Sequence, residues 1–163
     1  MSALRARIVR ASKRPMAAAR SPRAAEVLAM PVRSTPSFAE LGGADHVLLV
    51  TYRRDGTPVP TPVWFALDGE RTLYVWTEVG AIKVKRLRRD PRALLARCDV
   101  RGVPLDAPIA ARGRVLEDPE ERARAERAIR ASWNPGQRLF ERVARRLTDV
   151  HYLAFEPAPA EAG

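Results

Sequence analysis

Three prolines at alternate positions, Pro58, Pro60 and Pro62, stand inside a run that otherwise reads as a β-strand. Alternate residues of a strand direct their backbone groups to the same edge, so the three missing N–H donors all fall on one side. A strand in the middle of a sheet does not tolerate that loss. The run must therefore border a sheet, with its proline side unpaired or facing a ligand.

The flanking sequence says what kind of sheet this is. His46–Tyr52 is an apolar, β-branched run, residues 53–56 end in the turn pair Asp55 and Gly56, and residues 59–67 form a second run closed by Asp68 and Gly69. That is a hairpin pattern. Leu73, Val75 and Thr77 alternate with Tyr74 and Trp76 in a third strand, and residues 92–100 and 109–116 give two more around a turn with Gly102 and Pro104. Residues 150–155 complete six. Between the strands, Val84 and Leu87 at i and i+3 among Lys83, Lys85, Arg86, Arg88 and Arg89 predict a short basic helix that Pro91 ends. Phe38 and Leu41 mark a helical turn stopped by Gly42 and Gly43. Asp118, Pro119 and Glu121 supply a capping side chain, a proline at the first helical position and a carboxylate three residues past the cap. That helix reaches Trp133, breaks at Asn134, Pro135 and Gly136, and resumes as an amphipathic stretch through Leu139, Phe140, Val143 and Leu147. The pattern predicts a mainly β fold, a six-stranded antiparallel barrel with short helices packed outside.

Composition limits the partners. The chain has 163 residues, enough for one domain, and a single cysteine, Cys98, so neither an intramolecular disulfide nor a cysteine cluster of zinc-site spacing exists. A reducing, cytoplasmic setting is expected, and no apolar stretch approaches the roughly 20 residues of a membrane span. The formal net charge of +10 is concentrated at the start: residues 1–33 carry Arg5, Arg7, Arg10, Lys13, Arg14, Arg20, Arg23 and Arg33 against Glu26 alone. The rest is nearly balanced. The expected organisation is a basic, flexible extension over 1–33, the barrel over 34–156 and a flexible tail over 157–163. A polyanion-binding role for the basic extension is one alternative function; no specific nucleic-acid partner is expected of the barrel.

Catalytic motifs are absent. The sequence has no nucleophile elbow, no Walker-type or Gly-x-Gly-x-x-Gly loop, and no His or Cys pair at metal spacing. His46 and His151 each open a strand and read as strand residues, and Cys98 reads as core. No catalytic side chain and no metal are expected, which assigns any hard chemistry to a bound cofactor.

Two segments suit one. The end of the third strand and the start of the basic helix bring Trp76, Thr77, Gly80, Lys83, Val84 and Lys85 together. A hydroxyl, a glycine that permits close backbone approach, free N–H groups at a helix start and a lysine in the first turn make a cradle for a phosphate; a solvated basic face is the other reading. In the proline-rich strand, Val59, Thr61, Val63 and Trp64 offer a mostly apolar wall for a flat ring, or an ordinary edge strand guarded by proline.

The same segments carry a family resemblance. LLVTYRRDGTPVPTPVWFA at residues 48–66, LYVWT at 73–77, KVKRLRRDP at 83–91 and CDVRG at 98–102 resemble, in this order and spacing, the deazaflavin-dependent members of the pyridoxamine 5′-phosphate oxidase-like split-barrel superfamily. The similarity runs from about Phe38 to Phe155. It implies a split β-barrel of the FMN-binding-protein type, a homodimer with coenzyme F420 (FMN in related branches) at the subunit interface, and hydride transfer between the reduced deazaflavin and an unsaturated or heterocyclic organic substrate. It matches Lys83 to the phosphate-binding lysine, Thr61, Pro62 and Val63 to positions lining the ring, and Trp76 and Thr77 to the strand end near the phosphate. Ala81 stands where some members place a second basic ligand, leaving Lys85 or Arg86 to compensate or the phosphate less tightly held. The superfamily also implies an alternative, a cofactor-binding carrier without turnover.

Overall fold

The computed structural model describes residues 21–147 and 149–159, excluding the side chains of 140, 141 and 144–147. Seven strands, β1 (His46–Tyr52), β2 (Pro58–Trp64), β3 (Ala66–Asp68), β4 (Thr72–Glu78), β5 (Arg92–Cys98), β6 (Ile109–Val115) and β7 (Val150–Pro157), form one sheet in the order β2-β1-β5-β6-β7-β4-β3. Every pairing in it is antiparallel. Its two border strands, β2 and β3, are separated in the chain by Phe65 alone. One run of backbone thus forms both ends of the strand order, and the sheet curls round into a half-barrel. The single strand expected over 59–67 is two strands because the run pairs with β1 up to Trp64 and with β4 only from Ala66.

β2 is a border strand, as its prolines require. Pro58, Pro60 and Pro62 stand opposite Tyr52, Val50 and Leu48. An antiparallel ladder is bonded through alternate residues, and proline donates nothing, so Val59, Thr61 and Val63 carry the bonds to β1. The prolines turn their carbonyls the other way, and along that stretch the outer edge of β2 accepts hydrogen bonds without donating any.

The curled sheet encloses a core built from alternate residues: Val47 and Leu49 of β1, Val63 of β2, Leu73 and Val75 of β4, Leu95 of β5 and Leu153 and Phe155 of β7. Helix α1 (Ile82–Arg89) adds Val84 and Leu87, whose i, i+3 spacing puts both on one side. Gly113 of β6 stands opposite Phe155, and a Cβ there would lie 2.4 Å from Phe155 Cε1. Glycine at this position leaves the room that the Phe155 ring occupies.

The outer face is covered in two places. Helix α2 (Pro119–Ser132), capped by Asp118, whose carboxylate accepts from Glu121 N at 2.9 Å, buries Ala125 and Ile129 against Tyr74, Tyr152 and Ala154. Helix α3 (Pro135–Leu147) follows. Over β1 and β5, a 3-10 helix at Pro22–Ala29 inserts Ala24 and Val27, both fully or nearly buried, against Leu48, Val50, Ala96 and Cys98. These residues belong to the segment expected to be a flexible extension. They pack instead because β1 is apolar on both faces and its outer side needs cover. Arg33 then bonds through its backbone to Pro108 and Ala110. Residues 1–20 of the expected extension lie outside the described residues. At the other end, Ala158, expected in a flexible tail, is buried and donates to Ala110 O at 3.0 Å, whereas residues 160–163 are not described. Among the described residues no helix is long and apolar enough to cross a membrane.

Candidate cofactor-binding site

The β3–β4 ladder ends at the pair Ala66 and Tyr74, while β4 continues to Glu78 with β7 on its other side. The far half of β4 and the acceptor edge of β2 therefore flank a seam that no ladder closes. Extending the β3–β4 register would set Trp64 against Trp76 and Pro62 against Glu78, but Pro62 has no N–H with which to continue it.

At one end of this seam is the candidate phosphate cradle. Thr77 follows Leu73 and Val75 on the inner face and is 6% exposed. The chain then turns through Gly80, at φ +84°, with Ala81 N donating to Glu78 O at 3.1 Å. Only glycine adopts that conformation cheaply. α1 starts directly afterwards; its cap residue, Ala81, makes no side-chain cap hydrogen bond, and Val84 N donates to Ala81 O at 3.0 Å. From the first turn of α1, Lys83 Nζ donates to Thr77 Oγ1 at 3.2 Å. An ammonium, a hydroxyl and a helix N-terminus converge, which is the donor set for an anion. The remaining basic residues of α1 are not all available to it: Arg88 pairs with Glu117 at 3.2 Å and Arg89 donates to Tyr52 O at 2.6 Å, while Lys85 is exposed.

The expected site residues fall on two faces of the sheet. Val59, Thr61 and Val63 stand opposite Thr51, Leu49 and Val47, on the inner side with Thr77. Val84 is 3% exposed, its side chain part of the core. Pro62, Trp64 and Trp76 lie on the outer side, Pro62 packing against Gly102. There the two tryptophans meet a residue that the sequence did not suggest: Trp133, at the corner between α2 and α3, has its ring centroid 5.9 Å from that of Trp64 and 5.6 Å from that of Trp76. Trp133 is 4% exposed and its Nε1 donor has no hydrogen-bond partner. The only hint in the sequence was a large aromatic held against a helix break, a position that an isolated helix would leave in water.

Titratable groups here are few. His46, its ring centroid 6.1 Å from that of Trp64, is held below the usual imidazole range by burial, against the opposing pull of Asp45 and Asp99. Burial pushes the Cys98 thiol up to about 12, with Asp99 adding to the rise, so the side chain is an inert core member. Among the described residues no cluster of three or more His, Cys, Asp or Glu could hold a metal. A separate open depression of about 440 Å³, lined by Arg122, Glu126, Asp149 and Tyr152 among others, lies outside the seam between α2 and the start of β7.

A curled antiparallel half-barrel with a few short helices is the fold class these features define. The profile of the pyridoxamine 5′-phosphate oxidase family matches residues 38–159, and the chain belongs to that family. Solved structures agree on the fold. HutZ, described as the heme storage protein of Vibrio cholerae, shares 15% identity over 74% of this chain and 86% of its own, with a TM-score of 0.54. A Clostridium acetobutylicum protein related to general stress protein 26, of the pyridoxinephosphate oxidase family, shares 18% identity over 72% of this chain and 79% of its own, with a TM-score of 0.52. An F420 reductase shares 20% identity over 75% of this chain and 94% of its own at a TM-score of 0.47, too distant in shape to carry weight. No curated protein matches the sequence.

Proposed function

We propose that this protein is an oxidoreductase dependent on coenzyme F420, with the cofactor phosphate at Thr77 and Lys83 and the ring in the seam between β2 and β4. The observation that carries the reading is the convergence of the Lys83 ammonium on the Thr77 hydroxyl beside the start of α1, which no side chain caps. The donor set fits a phosphate, and the apolar, proline-edged strand beside it fits a flat ring. Bound there, the deazaflavin would supply hydride transfer to or from an unsaturated or heterocyclic organic substrate.

The chain's own contribution is then positional. Lys83 and the leading N–H groups of α1 hold the phosphate, the inner face of β2 at Val59 and Thr61 supports the ring, and Trp64 and Trp76, backed by Trp133, exclude water from the outer side. Holding two reactants at reacting distance in a dry site supplies much of a barrier reduction without any acid or base. A homodimer whose second copy closes the seam completes this reading. The exposed Lys85 and the basic surface of α1 favour F420 over FMN, because the oligoglutamate tail of F420 adds carboxylates beyond the phosphate.

Equilibrium dialysis against F420 and, separately, FMN tests the proposal, with Lys83→Ala in parallel. Micromolar or tighter F420 binding is expected, weakened about tenfold or more by Lys83→Ala, in keeping with the loss of a charge-assisted hydrogen bond, and weakened again by salt. FMN binding alone moves the protein to the flavin branch, and binding of neither refutes the site. Turnover of an enone with reduced F420 separates the enzyme from a carrier.

A further inference from the structure

Thr77 has a cross-strand neighbour that the site above does not use. In the β4–β7 ladder it stands directly opposite His151. Residues paired in this way share a face, with Cβ atoms about 4.5–5.5 Å apart, and His151 accordingly precedes Leu153 and Phe155 along the inner side of β7. It is half-buried. An anion held by Lys83 Nζ and Thr77 Oγ1 would therefore lie within reach of the imidazole. In the sequence His151 reads as an ordinary strand residue, since only the strand pairing joins it to Thr77.

The helix over this row of residues sets its charge. α1 is tied to β4 through Lys83 and Thr77 and, near its other end, to Glu117, just past β6, through the 3.2 Å pair with Arg88. β7 lies between β4 and β6 in the sheet, so His151 stands between the two ties. Continuing the β6–β7 register past Val115 sets Glu117 opposite His151, on the side away from Thr77. Among the described residues, the charges facing the imidazole are Lys83 and Arg88 from α1, Arg122 from α2 and Glu117. Glu78 alternates to the other face of β4, and Asp149 lines the depression beside α2. Three cations against one carboxylate, itself paired with Arg88, disfavour an imidazolium; burial first, then Arg88 and Arg122, hold His151 below the usual imidazole range, with Glu117 opposing. An anion on Thr77 would reverse that balance, because an opposite charge close by favours the protonated form.

We propose that His151 is a second basic ligand of the phosphate cradle, taking up a proton from solvent when a phosphate binds at Thr77 and Lys83. Free, the ring is mostly neutral near pH 7; occupied, it becomes an imidazolium that donates to a phosphate oxygen. The inference deepens the function proposed above and rests on its placement of the phosphate. Its consequence is a cofactor affinity that rises as pH falls.

The chain has only two histidines, so proton–carbon NMR of the full chain resolves the His151 imidazole, with His151→Gln assigning it against His46. Titrated with and without saturating F420, the His151 pKa is expected to rise by about one pH unit or more on binding. A pKa raised by a ligand adds affinity that is fully present below the free value and is lost as pH rises through the bound value. Equilibrium dialysis reads the same effect: His151→Gln should bind F420 about as wild type does at pH 8 and severalfold more weakly at pH 6, the ionisations of the cofactor itself cancelling in the ratio. An unchanged thermal midpoint at pH 8 certifies that the variant is folded, and the wild-type titration does not depend on it. F420 that binds without moving the His151 titration overturns this proposal and leaves the cofactor assignment standing. If F420 does not bind but inorganic phosphate raises the His151 pKa, the cradle is upheld and the cofactor assignment falls. A rise that persists undiminished in Lys83→Ala places the anion elsewhere and overturns the proposal, as does a pKa that neither probe raises.

Discussion

Replacing Gly113 by alanine sets two opposing effects against each other at a position that the structure defines closely. Glycine in a strand costs roughly 0.5–1 kcal/mol in chain entropy relative to alanine, so removing it should stabilise where space allows. Gly113 has no positive φ, and its backbone would accept a side chain. Space decides the outcome. The new Cβ would lie 2.4 Å from Phe155 Cε1, 2.7 Å from Phe155 Cδ1 and 3.0 Å from Leu87 Cδ2, whereas carbon atoms rest at about 3.5–4.0 Å. The Phe155 ring would have to retreat by about 1 Å into a core where its own exposure is 0%. Overpacking of this kind costs about 1–3 kcal/mol, which outweighs the entropic gain and leaves a net loss of about 1–2 kcal/mol. For a chain of this size that lowers the thermal midpoint by about 2–8 °C. Calorimetry of Gly113→Ala gives the value directly, and the same substitution made on Phe155→Leu should cost less, because the smaller side chain makes room. An unchanged or raised midpoint for Gly113→Ala would refute the packing argument. The effect should also reach the site: Leu87 sits on α1, and a displaced α1 carries Lys83 away from Thr77.

Further outcomes follow from burial. The pKa values of His46 and His151 are both lowered, chiefly by desolvation, with Arg88 and Arg122 adding to the effect at His151. As pH falls through the ordinary imidazole range the unfolded chain takes up protons that the native state refuses, so stability should decline between about pH 7 and pH 5.5. The lowered carboxyls of Asp90, Asp106 and Glu121 act in a separate, more acid window. Urea denaturation across this range checks the sign, and His46→Gln should flatten the slope; a slope unchanged by that substitution would remove His46 from the account. Cys98, with its thiol near 12, should react with a thiol reagent at mildly alkaline pH only after denaturation, and rapid labelling of the native protein would contradict its place in the core.

How much of this was legible beforehand differs from element to element. The prolines of β2 announced a border strand because a missing donor is a local property with a single structural meaning. Asp118, Pro119 and Glu121 marked the start of α2 for the same reason, and the cap bond is present. The interruption at Phe65 was not readable, since residues 59–67 continue their alternation across it and only the change of partner, from β1 to β4, divides them. The packing of Ala24 and Val27 was hidden by composition: arginine and proline dominate the segment, and two small apolar residues weigh little until the outer face of β1 is known to need cover. At the candidate site, Thr77 and Lys83 were close in sequence and came together in space. Trp133 was remote and could be assigned only once the sheet had curled. The division of the expected residues between two faces follows from strand alternation, which a list drawn from consecutive positions such as Thr61, Pro62 and Val63 necessarily crosses.

The chain has three tryptophans, and Trp64, Trp76 and Trp133 all meet at the seam. Its intrinsic emission is therefore a local signal. Two of these indoles approach from strands that never pair, and the third arrives on the corner between two helices, so their mutual quenching depends on the barrel having curled and α2 having docked. A refolding experiment followed by tryptophan emission would time that closure and be blind to the pairing of β5 with β6, which only a probe placed elsewhere would record.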